Sequence, residues 1–331
     1  MEKVMFNCEV VTPMFLAGAD GKTPELRPPS IKGALRFWWR ATNGHLPIDK
    51  LKEKEAKIFG GSGDNEGRSK VIIRVKIKNL KIVKAGKEFE QKHIIGTGFH
   101  RKGREIKINI LDYIAYGVVQ YDKNTRKNLL TRDYLDIGSK FDIIAEFDKK
   151  YKYEILSSFY YLFKYGNLGS KARNGFGSLA ILHNDKFNNI EQKLKDLPTD
   201  LPIYTAFSQK SRLFETKDTY SSWDKTLAEI SKIYREARLS LESSHYFEER
   251  QYISLPLIAK NEKSITSFMK GKRKAKSYFL KVIKEGEKYK GRILFLPSVY
   301  GLMEDKGKSF KNYDKMNLKI LSHSNIDEVN L

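Results

Sequence analysis

The chain has 331 residues, more than one small domain needs and enough for two, and 40% of them are hydrophobic, which excludes a globally disordered chain. Lys and Arg total 62 against 40 Asp and Glu, a formal net charge of +22 that favours polyanionic partners, although a lysine-rich soluble protein from a thermophile or a biased genome has the same balance. A single cysteine excludes an intrachain disulfide framework, and no run approaches the 18 apolar residues of a spanning helix, so no membrane partner and a cytoplasmic location are expected.

From the N-terminus, Met1-Glu2-Lys3 passes directly into the alternation Val4, Phe6, Cys8, Val10, a half-buried strand without the regions of a signal peptide. A Gly/Pro-rich connection runs from Thr12 to Pro29. Ser30 then occupies an N-cap position, and the proline-free run Ile31–Thr42 reads as a helix. Val71, Ile73, Val75 and Ile77 alternate with Ile72, Arg74, Lys76 and Lys78, a strand with one basic face. An insertion of about residues 80–138 carries the basic segment Lys102–Lys107 and a helix pattern around Leu111–Val119. Phe141, Ile143, Ala145 and Phe147 form another strand, followed by a helix with Ile155, Phe159, Leu162 and Phe163. A glycine-rich loop leads into the short strand Ser178–Leu182. This order is βαββαβ, the ferredoxin-like unit.

Lys186–Pro202 reads as an interdomain connection and Ile203–Phe214 as a strand. Trp223, Leu227, Ile230, Tyr234, Ala237 and Leu241 mark the clearest amphipathic helix. Tyr252–Ile258 and Ile293–Leu296 suggest strands, and the last 20 residues carry a weak helix pattern. The expected architecture is α+β, with two tandem ferredoxin-like (βαββαβ, RRM-like) domains. Domain one covers 1–185 with the insertion, 186–202 is a linker, and 203–331 is a second, divergent copy.

Two constellations carry the chemistry. In Pro28-Pro29-Ser30-Ile31-Lys32-Gly33-Ala34-Leu35-Arg36-Phe37-Trp38-Trp39-Arg40, the residues Ile31, Leu35, Trp38 and Thr42 stack at helical spacing toward a core. Lys32, Arg36 and Arg40 recur every four residues as a neighbouring ridge of repelling cations, a spacing suited to an anionic ligand. Free N–H groups at the helix start suit a phosphate, and Trp39 is placed to stack on an unpaired base. The alternative is a solvated face with both tryptophans in the core. The second constellation is Gly166-Asn167-Leu168-Gly169-Ser170-Lys171-Ala172-Arg173-Asn174-Gly175-Phe176-Gly177-Ser178. Four glycines within 12 residues allow backbone N–H groups close to phosphate oxygens, with Lys171 and Arg173 adding charge. It is neither a P-loop nor a dinucleotide fingerprint, since it runs from helix to strand with different spacing. A tight turn with incidental charges is the alternative.

Weaker features are the basic glycine-spaced stretch Gly96–Arg104, with Phe99 and His100, and residues 264–292, which hold ten Lys/Arg against two Glu. Either is a surface for RNA or an uninvolved solvated face. The six histidines (45, 93, 100, 183, 245 and 323) lack zinc spacing, and neither a paired-acid nuclease pattern nor a Gly-x-Ser-x-Gly elbow occurs. No metal, cofactor or catalytic residue is expected. An alternative, metal-independent RNA cleavage, would use His45 as base with Tyr113 or Lys32 as partner.

The stretch Thr12-Pro13-Met14-Phe15 through Pro24–Arg40 resembles the large capping subunit of the type III-B CRISPR effector (the Cmr complex). The loop Gly169-Ser170-Lys171-Ala172-Arg173-Asn174-Gly175-Phe176-Gly177 resembles the glycine-rich loop of the repeat-associated mysterious protein (RAMP) superfamily, to which that subunit belongs. Together the two matches cover about the first 180 residues. The resemblance implies assembly with other RAMP subunits around a CRISPR RNA, at the end that meets the 3′ part of the guide and its target RNA. It implies binding single-stranded RNA rather than cutting it; a protein-only adaptor role is the further alternative. Candidate RNA-binding residues are Arg27, Ser30, Lys32, Arg36, Trp39 and Arg40 on the helix, and Gly169, Lys171, Arg173, Asn174 and Gly175 in the loop.

Overall fold

The computed structural model describes residues 1–61, 63, 66–182, 187, 194, 197–242, 247–255, 270–299 and 305–331, with 99–101 described through their backbone alone. Strand β1 (Glu2–Val10) buries Phe6, Cys8 and Val10 on one face through its two-residue period. Helix α1 (Pro28–Thr42) has Arg27 at its N-cap position, three residues before the expected N-cap Ser30. A proline at the first helical position loses no hydrogen bond, and Arg27 ahead of it is held extended with φ −82° and ψ 121°. Ser30 therefore lies exposed in the first turn and makes no capping bond. Helix α2 (Ile48–Phe59) follows, unanticipated from its charge-rich sequence, and then β2 (Val71–Asn79).

Between β2 and the next long strand the chain builds β3 (Ile82–Val83), the hairpin β4 (Ile94–Arg101) and β5 (Arg104–Asn109), and the short helix α3 (Ile110–Ile114). A second hairpin, β6 (Val119–Asp122) and β7 (Lys127–Leu130), precedes β8 (Tyr134–Leu135), which pairs with β3. Helix α3 is one turn rather than the expected run to Val119, because the chain reverses at Gly117 with φ +97°. Then come β9 (Lys140–Phe147), α4 (Lys152–Tyr165) and β10 (Leu179–Ile181). The sheet has order β10-β1-β9-β2 and every pair is antiparallel. In the rest of the chain the succession is β11 (Arg212–Thr216), α5 (Trp223–Leu239), β12 (Tyr278–Glu285), β13 (Lys288–Phe295), α6 (Lys306–Leu321) and β14 (Ile326–Val329). Its antiparallel sheet has order β12-β13-β11-β14.

Some expectations for this half change. Strand β11 begins at Arg212, and 203–211 is irregular. Of the strand expected over Tyr252–Ile258, Tyr252 ends a 3-10 turn (Arg250–Tyr252) and Leu255 forms an isolated antiparallel bridge with Lys274, while residues 256–258 lie outside the described residues, as do most of 186–196. The weak C-terminal helix pattern belongs to α6, with β14 closing the sheet behind it.

The two halves share their cores. Phe279, Leu294 and Leu213, on the face of the second sheet opposite α5 and α6, pack in one cluster with Trp38, Leu162 and Tyr165 of the first half. Ile110, Leu111 and Ile114 of the insertion join Leu227, Ile230 and Ile233 of α5 in the other cluster. His93 Nε2 lies 2.7 Å from Asp224 Oδ2 and ties the insertion to the start of α5. Separating the halves would expose this apolar surface, so the fold holds them as one body. Among the described residues no helix is long and apolar enough to cross a membrane.

Candidate nucleic-acid interface

Ile31, Leu35, Trp38 and Trp39 turn one side of α1 into the core. Both tryptophans are needed there because α2 extends the apolar surface: Trp39 is 3% exposed, with its ring 6.5 Å from that of Phe59 in an edge-on contact. Trp39 is thus a core residue, and the expectation that it stacks on a base is corrected by its burial.

The cationic ridge on α1 is also largely answered from within. Glu55, on α2 and 6% exposed, accepts hydrogen bonds from Arg40 Nη1 at 2.8 and 2.9 Å and another from Arg36 Nε. Lys32 Nζ donates to Ser69 Oγ at 3.1 Å, and burial, followed by Arg36 and Arg68, lowers its pKa. Two guanidinium groups share one carboxylate, so a net positive charge remains, and each arginine keeps about a third of its side chain exposed (35% and 37%).

The glycine loop threads between the two halves. Ser170 N donates to Phe15 O at 2.8 Å, and a Cβ on Gly169, whose φ is +92°, would lie 2.6 Å from that same oxygen. Gly175 has φ +88° and a Cβ there would lie 2.4 Å from Leu227 Cδ1. These glycines serve close packing, and Gly175 is buried rather than aimed at a ligand. Asn174 is likewise taken up internally: its Nδ2 donates to Ile114 O at 2.6 Å and its Oδ1 accepts from Lys276 Nζ at 2.7 Å. Arg173 donates through Nη1 to Lys276 O and lies over the rings of Phe37 and Phe279 at 5.1 and 4.5 Å. Burial pulls its pKa down to about 10, which still leaves it cationic near neutrality. Farther along, Lys281 Nζ donates to Gly166 O at 2.6 Å, deep between the halves. Lys274 and Lys281 (3% and 2% exposed) and Lys276 thus turn inward, so the described part of the basic segment 264–292 is not a uniform phosphate-tracking surface; 264–269 lies outside the described residues.

Helix and loop meet at a cleft of about 470 Å³, lined on one side by Ser30, Ala34 and Phe37 and on the other by Gly169, Ser170 and Arg173. At about 100° per residue, that face of α1 lies roughly 130° from the Lys32–Arg36–Arg40 ridge. The two predicted constellations therefore come together, but through a different face of α1 than its charge pattern suggested. Arg27 ends the chain's approach to this face and is half-buried. Across the cleft mouth the insertion contributes Arg132, which sequence reasoning missed; it lies some 40 residues from Lys171, and only the tertiary fold makes them neighbours.

Lys171 sits beside the cleft with φ +62°, a left-handed conformation that costs a lysine on the order of 1–3 kcal/mol. Burial and then the charge of Arg132 lower its pKa. The cleft thus combines apolar walls with several cations, an arrangement suited to a nucleotide's base and phosphate. The expected free N–H groups at the helix start are absent, because Pro28 and Pro29 have none and Ser30 and Ile31 both donate to Arg27 O. Of the alternative cleavage pairs, His45 and Lys32 flank ten helical residues of α1, about 15 Å of rise. The side chains of Phe99 and His100 lie outside the described residues.

Comparison with known proteins gives a consistent result. The RAMP superfamily matches residues 7–180. The CRISPR system Cmr subunit Cmr1-2 of Pyrococcus furiosus is 33% identical over 189 residues, covering 55% of this chain and 96% of that protein. Cmr subunit Cmr1-1 of the same organism is 31% identical over 167 residues, 48% of this chain and 41% of its own length. The crystal structure of apo Cmr1 from Pyrococcus furiosus aligns with a TM-score of 0.57 at 19% identity, over 99% of this chain and 98% of that one. A chain of a type III-B Cmr-beta complex bound to cognate target RNA, seen by cryo-electron microscopy, aligns at 0.54 and 13% identity, over 97% and 100%. These structural matches extend the shared fold to the second half of the chain.

Proposed function

The chain belongs to the RAMP superfamily, and from that premise we propose that it is a non-catalytic, RNA-binding capping subunit of a type III-B CRISPR effector. In this role it contacts the 3′ part of the guide RNA and its paired target and docks against other RAMP subunits in antiviral defence. The observation that carries the reading is the cleft itself, where α1 and the glycine loop bring apolar walls and the cations Arg132 and Arg173 to one place, with Lys171 beside them. Sequence choice then comes from guide–target pairing, and this subunit reads backbone and shape.

We assign the surviving contacts to Arg27, Ser30, Gly169, Lys171 and Arg173 at the cleft, with Lys32, Arg36 and Arg40 as a second, partly neutralised flank. The proposed architecture is two ferredoxin-like domains. Each sheet keeps its first and third strands central and its second and fourth at the edges once the insertion is set aside, which supports that reading. The division at 186–202 falls between β10 and β11, while the shared cores supply the contact between the domains.

The test is the salt dependence of binding between the full chain and a single-stranded RNA oligonucleotide. A logarithmic association constant that falls linearly by about 0.7 per phosphate engaged supports the reading. Absence of binding, or binding that ignores salt, contradicts it.

A further inference from the structure

Arg132 and Lys171 form a pair of like charges that the protein does not neutralise. Arg132 lines the cleft from the insertion, on the short link between β7 and β8. That link is fixed on both sides: Thr131 N donates to Val118 O at 3.0 Å, and Leu135 N donates to Met14 O at 3.0 Å. The Nε of Arg132 is buried without a hydrogen-bond partner among the described residues. Lys171 approaches from the glycine loop, its ammonium only 3.3 Å from where a Cβ on Gly117 would stand. No ion pair to either cation occurs among the described residues, whereas Arg36 and Arg40 share Glu55 and Arg292 binds Glu215. Two cations held together, one on strained backbone and one with a buried unsatisfied donor, need an external anion.

Tyr116 is adjacent in the chain to Gly117 and 63% exposed, an aromatic ring with no core role. Val118, one residue further, is the partner of Thr131 beside Arg132. Arg132 and the ring are therefore carried by one small part of the insertion, and Lys171 reaches the same part from the glycine loop.

We infer that the insertion is part of the RNA site: Arg132 and Lys171 clamp one backbone phosphate of a single strand leaving the cleft, and Tyr116 stacks a neighbouring base. The inference rests on the RNA-binding reading above and extends it to a segment which that reading left without a role. The phosphate is bound from two sides, by the insertion and by the glycine loop, so the strand itself completes the contact between them.

The test uses the full-length chain and a single-stranded RNA oligonucleotide, with affinity measured at several salt concentrations. Arg132→Gln and Lys171→Gly each lower affinity about tenfold and each make the salt slope shallower by about 0.7. Lys171→Gly is informative because glycine fits φ +62°, so the loss of affinity comes without a loss of fold. Tyr116→Ala lowers affinity without changing the slope, Tyr116→Phe leaves it near the parent value, and the distant control Lys319→Ala changes neither. Unchanged affinity and slope in both Arg132→Gln and Lys171→Gly, with RNA still bound by the parent protein, overturns the clamp and leaves the RNA-binding reading standing. A parent protein that binds no RNA overturns both. If inorganic phosphate binds the parent and not Arg132→Gln, while RNA affinity is equal in the two, the pair is a free-phosphate site and the clamp is again refuted.

Discussion

Lys281 offers a stringent test of how the two halves are joined. Its ammonium is buried between them, donates to Gly166 O at 2.6 Å, and is held near a pKa of about 7 by burial and then by Arg292. In the unfolded chain the same group has its ordinary pKa of 10.5. Below about pH 7 both states carry the proton; between about 7 and 10.5 only the unfolded state does. Stability therefore rises with pH across that window, by about 1.4 kcal/mol per pH unit from this one group, because burying the charged form is what the fold opposes. The full difference amounts to about 5 kcal/mol. Lys281→Met removes it but leaves Gly166 O without its partner, a loss of about 1–3 kcal/mol. The variant is expected to be more stable than the parent by roughly 2–4 kcal/mol at pH 7, to match it near pH 9, and to be less stable at pH 10.5. Urea denaturation of both proteins at half-unit pH intervals measures this. A constant difference between parent and variant across the window would refute the buried-cation argument.

Three further outcomes follow from the site geometry. Trp39→Ala destabilises by about 3–5 kcal/mol in urea, while Trp39→Phe, which deletes a buried indole N–H lacking a partner, costs less than about 1.5 kcal/mol and keeps RNA affinity; a tenfold affinity loss with stability intact would restore a stacking role. Glu55→Ala leaves Arg36 and Arg40 repelling one another and destabilises by about 2 kcal/mol, less than a fully buried network because both arginines are a third exposed; an unchanged urea midpoint would contradict the shared-carboxylate account. Gly169→Ala meets Phe15 O and must adopt φ +92°, so a loss of about 1–3 kcal/mol is expected, read as a lowered thermal midpoint.

Much of the first half was legible in its residues, because helix and strand periods write themselves into apolar spacing. Ile31, Leu35 and Trp38 on α1, and Phe141, Ile143, Ala145 and Phe147 on β9, are buried as their spacing implies. Trp39 was not read as core because its fate depends on α2, whose apolar stripe of Leu51, Ala56, Ile58 and Phe59 was overlooked among its lysines and glutamates. The same helix hides Glu55, the carboxylate that turns a ridge of repelling cations into a bound group. Arg132 carried no local signal at all: its partner Lys171 is remote in the chain, and only long-range pairing creates the juxtaposition. The start of α1 was misplaced because Ser30 and Pro28 are both valid helix-start signals, and the proline, with its fixed φ, prevails.

The central claim is that RNA lies in the cleft between α1 and the glycine loop. Ultraviolet crosslinking of the assembled complex, with 4-thiouridine along the guide and target strands, tests it by mapping RNA-linked peptides. Peptides containing 27–37, 166–173 and 132 are expected to carry the RNA. Crosslinks confined to the exposed side of α6 or to the tip of β4 and β5, with the cleft peptides unmodified, would contradict the account.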